Sequence, residues 1–290
     1  VLIFNSWYTG GRSNIFTAND DGSNLRCLTA DHKLERYQRL RISPDHKRLL
    51  FLAKPPTEET GHFFIWDIDA GRIESYENEP RPYDIRWLTD ERMLCTKKDE
   101  RWIVNLTSNK TERLDFGEGF VVMDAAPDGD RLLMKKGPGI GGSIFVGYIG
   151  RREVKEIVRG EEYEKTHAIV FPVSWSPNGE IIACVGGYED EVWVVNADGS
   201  DPRKVATTDY FWRMIRWSPD GRAIAFTRSL DEGGPGAERG AVFVVELALG
   251  DERQVMQIKR GETWAWGAEG KSLVCARGSE GYMSLERVDI

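Results

Sequence analysis

Apolar residues in this chain come in short runs separated by polar turns, and the order of runs repeats. A first run such as MIRW (214–217) or PVSW (172–175) leads into Ser-Pro-Asp-Gly or Ser-Pro-Asn-Gly. A β-rich run follows: AIAFTR, IIACVG, RLLFLA or RLLMKK. After a variable loop comes a third run, AVFVVEL, EVWVVNA, HFFIWDI, SIFVGYI or SNIFTAN. A polar turn such as ADGSD or NDDGS closes it, and a fourth run (RKVAT, NLRCLT, VKEIV) leads out. The turn residues have separate jobs: Pro presets φ, Asp or Asn bonds back to the backbone, and Gly accepts positive φ.

Four short strands per unit, joined by hairpin-type turns, are the expectation. The turn position falls at Pro44, Thr89, Pro127, Pro177, Pro219 and Ala268, about 38 to 50 residues apart, which is the length of one propeller blade. RWLTDERMLC (86–95) and AWGAEGKSLVC (265–275) are worn copies. No long amphipathic pattern supplies the crossover helices a parallel sheet needs. The second runs are apolar throughout, as expected of strands covered on both faces.

The fold class expected is therefore all-β: one propeller domain over 1–290, of four-stranded antiparallel blades. Residues 1–7 read as a second strand, and 263–290 supply a first, second and third. Strand counting favours seven blades, two of them incomplete or completed from outside this stretch, with six as the alternative.

WSPDGRAIAFTR and VWVVNADGSDPRKVA together resemble the repeat of TolB-like, WD-repeat-like propellers, and IFTANDDGSNLRCLTAD (15–31) matches its second half. The resemblance covers essentially the whole chain and speaks to the repeat, not to the activity. Relatives of this class serve as interaction modules in periplasmic envelope complexes, as propeller domains of serine peptidases, and as lyases on acidic polysaccharides. The resemblance thus implies a periplasmic or secreted setting, while the unpaired cysteines weigh mildly against an oxidising compartment and leave the cytoplasm open.

Composition narrows the choices. The formal charge is −8, which argues against a nucleic-acid partner. No run approaches the length of a membrane span. Cys27, Cys95, Cys184 and Cys275 form no CxxC pair and sit in strand-like runs, so they read as buried thiols. No G-x-S-x-G elbow supports a peptidase. A metal-dependent lyase would draw on His32, His62 and His167, which belong to different units with no His-x-His pair; His46 falls in a turn on the opposite face. KGPGIGGS (136–143) and DEGGPGAERG (231–240) follow no phosphate-binding pattern. Asn19-Asp20-Asp21-Gly22 and Asn196-Ala197-Asp198-Gly199 lack the later Glu of a calcium loop, and turn chemistry explains them. No catalytic residue, metal or cofactor is assigned.

What remains is a surface. The links from a fourth strand to the next first strand line the channel mouth, and they carry Arg36, Tyr37, Tyr83, Tyr163, His167, Tyr210, Trp212, Arg213 and Trp264. Aromatics and Arg are the residues enriched in recognition hot spots. TDYFWR (208–213) is the richest link. The expectation is a non-catalytic scaffold recognising a protein or peptide at this mouth. The alternative is a carbohydrate-active lyase or hydrolase using the same place.

Overall fold

Every element of the computed structural model is a strand or a turn. It describes residues 2–7, 13–19, 21–30, 32–58, 61–76, 82–137, 142–159, 169–186, 191–208, 215–230, 238–260, 262–279 and 282–290, with no helix among them. The chain is an all-β propeller of antiparallel blades. Among the described residues seven sheets follow one another, five of four strands and two of three, the three-stranded ones being the first and the last.

The first sheet holds β1 (Leu2–Trp7), β2 (Ser13–Ala18) and β3 (Arg26–Cys27). The second holds β4 (Glu35–Ile42), β5 (Arg48–Lys54), β6 (His62–Asp67) and β7 (Arg72–Ser75). The third holds β8 (Asp84–Trp87), β9 (Arg92–Lys97), β10 (Glu100–Asn105) and β11 (Lys110–Arg113). The fourth holds β12 (Phe120–Ala125), β13 (Arg131–Lys136), β14 (Ser143–Tyr148) and β15 (Glu153–Val158). The fifth holds β16 (Ile169–Trp175), β17 (Ile181–Gly186), β18 (Glu191–Asn196) and β19 (Arg203–Thr207). The sixth holds β20 (Ile215–Trp217), β21 (Ala223–Ser229), β22 (Arg239–Glu246) and β23 (Glu252–Lys259). The last holds β24 (Thr263–Trp266), β25 (Ser272–Ser279) and β26 (Tyr282–Asp289).

The Ser-Pro-Asp-Gly turn closes on itself by one scheme in three sheets. Ser43, Ser176 and Ser218 are buried. Each donates its hydroxyl to the acid or amide two residues on: Asp45 at 2.5 Å, Asn178 at 2.7 Å, Asp220 at 2.6 Å. Each hydroxyl also accepts the amide five residues on, from Arg48, Ile181 and Ala223 at 2.9, 3.0 and 2.9 Å. The residue three beyond the Ser position must be left-handed, and Gly129, Gly179, Gly221 and Gly270 are, with φ of 68, 69, 72 and 70°. His46 takes that conformation at φ 61° without being glycine. In the worn third-sheet copy Leu88 stands at the Ser position, and the Thr89 hydroxyl accepts the amides of Glu91 and Arg92 instead.

The contacts fall into two compact units, residues Val1–Lys97, Val104–Lys110 and Glu262–Asp289 in one, and Lys98–Ile103 with Thr111–Gly261 in the other. In the first unit Ile15, Tyr37, Leu49, Phe51, Phe64 and Trp66 make one core between the first two sheets. In the second unit β17 shows why its run does not alternate. Ile182 and Cys184 pack toward the fourth sheet with Leu133 and Val146, while Ala183 and Val185 pack toward the sixth with Ile224 and Phe226. Both faces of the sheet are interior, so every position is apolar.

The polar turn between third and fourth strands is also built alike in two places. Asp21 accepts the amide and hydroxyl of Ser23 at 2.9 and 2.6 Å, and Asp198 those of Ser200 at 2.9 and 2.6 Å. These bonds hold both carboxyls below the usual aspartate range. The turns seat against a neighbouring sheet. A Cβ at Gly199 would meet the Ile157 carbonyl oxygen at 2.9 Å, and one at Gly22 would lie 3.8 Å from Cβ of Leu285. The first and last sheets therefore touch inside the first unit.

Candidate functional site

The first strand of each sheet has one neighbour only, so its inner backbone edge must find partners elsewhere. Side chains of the adjacent sheet supply them. In the first unit Arg39 of β4 donates to the Tyr83 carbonyl at 2.9 Å, and Arg41 to the Ile85 carbonyl at 2.7 Å. The Trp87 indole of β8 donates back to the Arg41 carbonyl at 2.9 Å. In the second unit the Asp124 carboxylate accepts the Trp175 amide at 3.1 Å, and the Trp217 indole donates to the Ser174 carbonyl at 3.3 Å. The repeat tryptophan is thus a staple between sheets. Two of these rings also carry a guanidinium from the preceding sheet: Arg48 lies 5.5 Å from the Trp87 centroid and Arg131 4.8 Å from that of Trp175, a favourable cation–π placement.

Around β4 and β8 this capping gathers charge. Arg39, Arg41 and Arg86 each reach Asp84 at 3.1 Å. Three guanidiniums thus gather on one carboxylate at the junction of the second and third sheets. β4 is irregular where this happens: its register with β5 shifts between Glu35 and Gln38 and again between Gln38 and Arg41. Arg39 lies in the second shift with a left-handed φ of 53°. Bulges re-aim side chains and recur beside sites.

The sequence-derived mouth cluster is distributed differently. Tyr83 is exposed, at 57%, and its carbonyl is the one Arg39 holds. Two members lie inside the molecule, which corrects their reading as surface. Tyr37 is fully buried in the first-unit core, its ring 5.5 Å from that of Phe51, and burial pushes its hydroxyl up to about 12. Trp264 is 2% exposed on β24, two residues before Trp266 and hence on the same face as the repeat tryptophan. Arg36 lies on β4, with only its backbone described. Tyr163, His167, Tyr210, Trp212 and Arg213 lie outside the described residues.

Sequence reasoning passed over Arg39, Arg41, Asp84 and Arg86. Their signal was available: Arg41 and Arg86 stand one residue before the repeat-tryptophan position, where Asp124 stands on β12 and Arg216 on β20. His32 meets Trp66 edge-on at 6.0 Å, and His62 bonds Glu58. Among the described residues no group of three or more His, Cys, Asp or Glu could hold a metal ion. Burial pushes the Cys95 and Cys184 thiols up to about 12 and Cys275 to about 11, which makes them unreactive. No helix among the described residues is long and apolar enough to cross a membrane.

No protein-family model matches the chain, and no curated protein matches it in sequence. Solved structures do match in shape. An oligogalacturonate lyase in complex with manganese is 14% identical, with 96% of this chain and 79% of that one covered at a TM-score of 0.64. TolB from Acinetobacter baumannii is 16% identical over 87% of this chain and 60% of that one, at 0.59. The propeller domain of Cps50 (Swd1) from Myceliophteria thermophila is 12% identical over 98% and 93%, at 0.60. An enzyme and proteins of other names share this shape, so the likeness speaks to architecture alone: the fold of this chain is the β-propeller that these structures have in common.

Proposed function

We propose that this chain is a non-catalytic binding propeller that recognises a protein or peptide at the mouth of its central channel. The observation that carries the reading is the pairing of an exposed tyrosine with a fixed arginine cluster. Tyr83, directly before β8, and Arg39 on β4 are joined through the Tyr83 carbonyl at 2.9 Å. Aromatic and arginine groups held in advance lose little freedom on binding, which is where affinity comes from. Arg36, Tyr163, His167, Tyr210, Trp212 and Arg213 extend the proposed surface. The shared shape of TolB and a WD-repeat propeller domain supports a binding role without specifying a partner.

The test is a selection of displayed peptides on the purified chain, followed by affinity measurements with Tyr83→Ala and Trp212→Ala variants. Enrichment of a related peptide set, weakened at least several-fold by either substitution, is the expected result. A chain that enriches no peptide but degrades a polysaccharide overturns the reading.

A further inference from the structure

We infer that the inner edge of the first sheet is a strand-binding groove, and that its occupant is an extended segment of a partner polypeptide with the pattern of this chain's own first strands. The groove lies apart from the channel mouth, so the inference is independent of the reading above.

β1 takes the second-strand place of its sheet. Leu2 lies opposite Ala18, one residue before the Asn19 turn, as Ile182 lies opposite Val195, one residue before the Asn196 turn. Ile3 therefore matches Leu50, Leu94, Ala183 and Ala225. Each of those is paired to a first strand, with Arg41, Arg86, Ser174 and Arg216 in turn. Among the described residues β1 pairs with β2 alone. Its backbone groups point to the other side. Ile15 turns its carbonyl to the Leu28 amide and its amide to the Thr29 hydroxyl, both away from β1. In an antiparallel pair the residue opposite, Asn5, then turns its own groups away from β2. Ile3, two residues before, does the same.

The side chains beside this edge are apolar and reach water. Ile3 is half-buried, where Leu50, Leu94, Ala183 and Ala225 are fully buried. Ile42 holds the repeat-tryptophan place of β4 and is 37% exposed, where Trp87, Trp175, Trp217 and Trp266 are at most 9% exposed. Leu40 is half-buried as well, and with Ile3 it packs against the core shared by the first two sheets. An open donor and acceptor edge thus runs beside an apolar floor, all within the first unit. That combination takes up an extended peptide as a further strand.

The sheets that fill this place from their own sequence state the chemistry of the occupant. β8, β20 and β24 put apolar side chains two residues apart and end on tryptophan: Ile85 and Trp87, Ile215 and Trp217, Trp264 and Trp266. The residue between varies freely, as Arg86, Arg216 or Ala265. The occupant is accordingly a short extended segment, antiparallel to β1, with bulky apolar groups at alternate positions.

The experiment uses the full chain and a fluorescein-labelled peptide copying residues 84–90, DIRWLTD. A scrambled peptide and one methylated at the Arg86 amide, the N–H that would meet Ile3, serve as comparisons. The copied peptide is expected to bind, to raise the melting temperature and to slow hydrogen exchange at the Ile3 and Asn5 amides. Scrambling or methylation should lower its affinity roughly tenfold or more, since both the apolar pattern and the backbone bonds are needed. Ile42→Asp, at an exposed position, should weaken it by a similar factor, with a melting curve to show that the variant folds. Tyr83→Ala, which alters the mouth, should leave it bound. Binding that ignores scrambling, methylation or Ile42→Asp in a folded protein overturns the inference, and so does a monomeric chain that takes up no peptide. Loss of binding in Tyr83→Ala overturns it by moving the peptide to the mouth. A dimer in light scattering that excludes the peptide assigns the edge to a second copy and overturns the partner segment. The mouth reading stands under every result but one: peptide captured at Tyr83 would support it.

Discussion

The inner edges of β8 and β16 pose the same problem and receive opposite answers. On β8 the exposed groups are carbonyls, and Arg39 and Arg41 cap them. On β16 the group is an amide, and Asp124 caps it. Arg41 and Asp124 occupy the same position, one residue before the repeat tryptophan's place, so the repeat fixes neither the sign of the side chain there nor, with Ala265 before Trp266, its polarity. The difference teaches that local charge in this fold follows from which backbone group is left over. A junction capped with arginine gathers guanidiniums around a shared carboxylate, as at Asp84. One capped with aspartate spends its acceptor on the backbone.

Four experiments probe that contrast. The largest effect is expected from Asp84→Ala, which leaves three guanidiniums facing one another. It should cost about 2 kcal/mol in urea unfolding, less than a fully buried charge would because water reaches Arg39. Next is Asp124→Ala, which strands the Trp175 amide at a cost of about 1.5 kcal/mol. Asp124→Asn keeps an acceptor and should recover most of that loss, and an equal loss in both variants would deny the capping role. The tryptophan staples rank below. Trp87→Phe should cost about 1 kcal/mol for the lost hydrogen bond, and Trp217→Phe less, since its bond is longer (2.9 against 3.3 Å).

The smallest effect is the pH response of the turns. Their hydroxyl and amide hydrogen bonds lower the Asp45 and Asp220 carboxyls below the usual value. A depressed carboxylate contributes stability that is complete above the unfolded value of about 3.9 and is lost as pH falls through the folded one. A melting series should therefore show a shallow acid loss confined to that window. Replacing both residues by Asn should make it shallower, the lowered Asp21 and Asp198 carboxyls keeping their share.

Much of the fold was legible because its determinants are local. Ser218, Asp220 and the amide of Ala223 are neighbours in the chain, so the turn can be read where it stands. The order of strands within the described sheets also emerged, because each run announces itself. The candidate site was harder to see, since its geometry joins residues far apart. Arg39 meets Tyr83 and Arg41 meets Ile85, each 44 residues away in sequence. Loop position alone placed Tyr37 and Trp264 at the mouth, yet both turn inward. TWAW contained the warning for Trp264, because alternation sets it beside Trp266. Nothing comparable in ERYQRLRI marked the register shifts that re-aim Arg39.

The contact between the Gly22 turn and Leu285 has a kinetic meaning. Each sheet assembles from neighbours in sequence and needs no distant help. This seam joins segments separated by nearly the whole chain, and the entropy of closing so long a loop is met by contacts that form last. Refolding should pass through a state with sheets in place and the seam open. Substitutions in the 19–23 turn should hasten unfolding while leaving the earlier steps of assembly untouched.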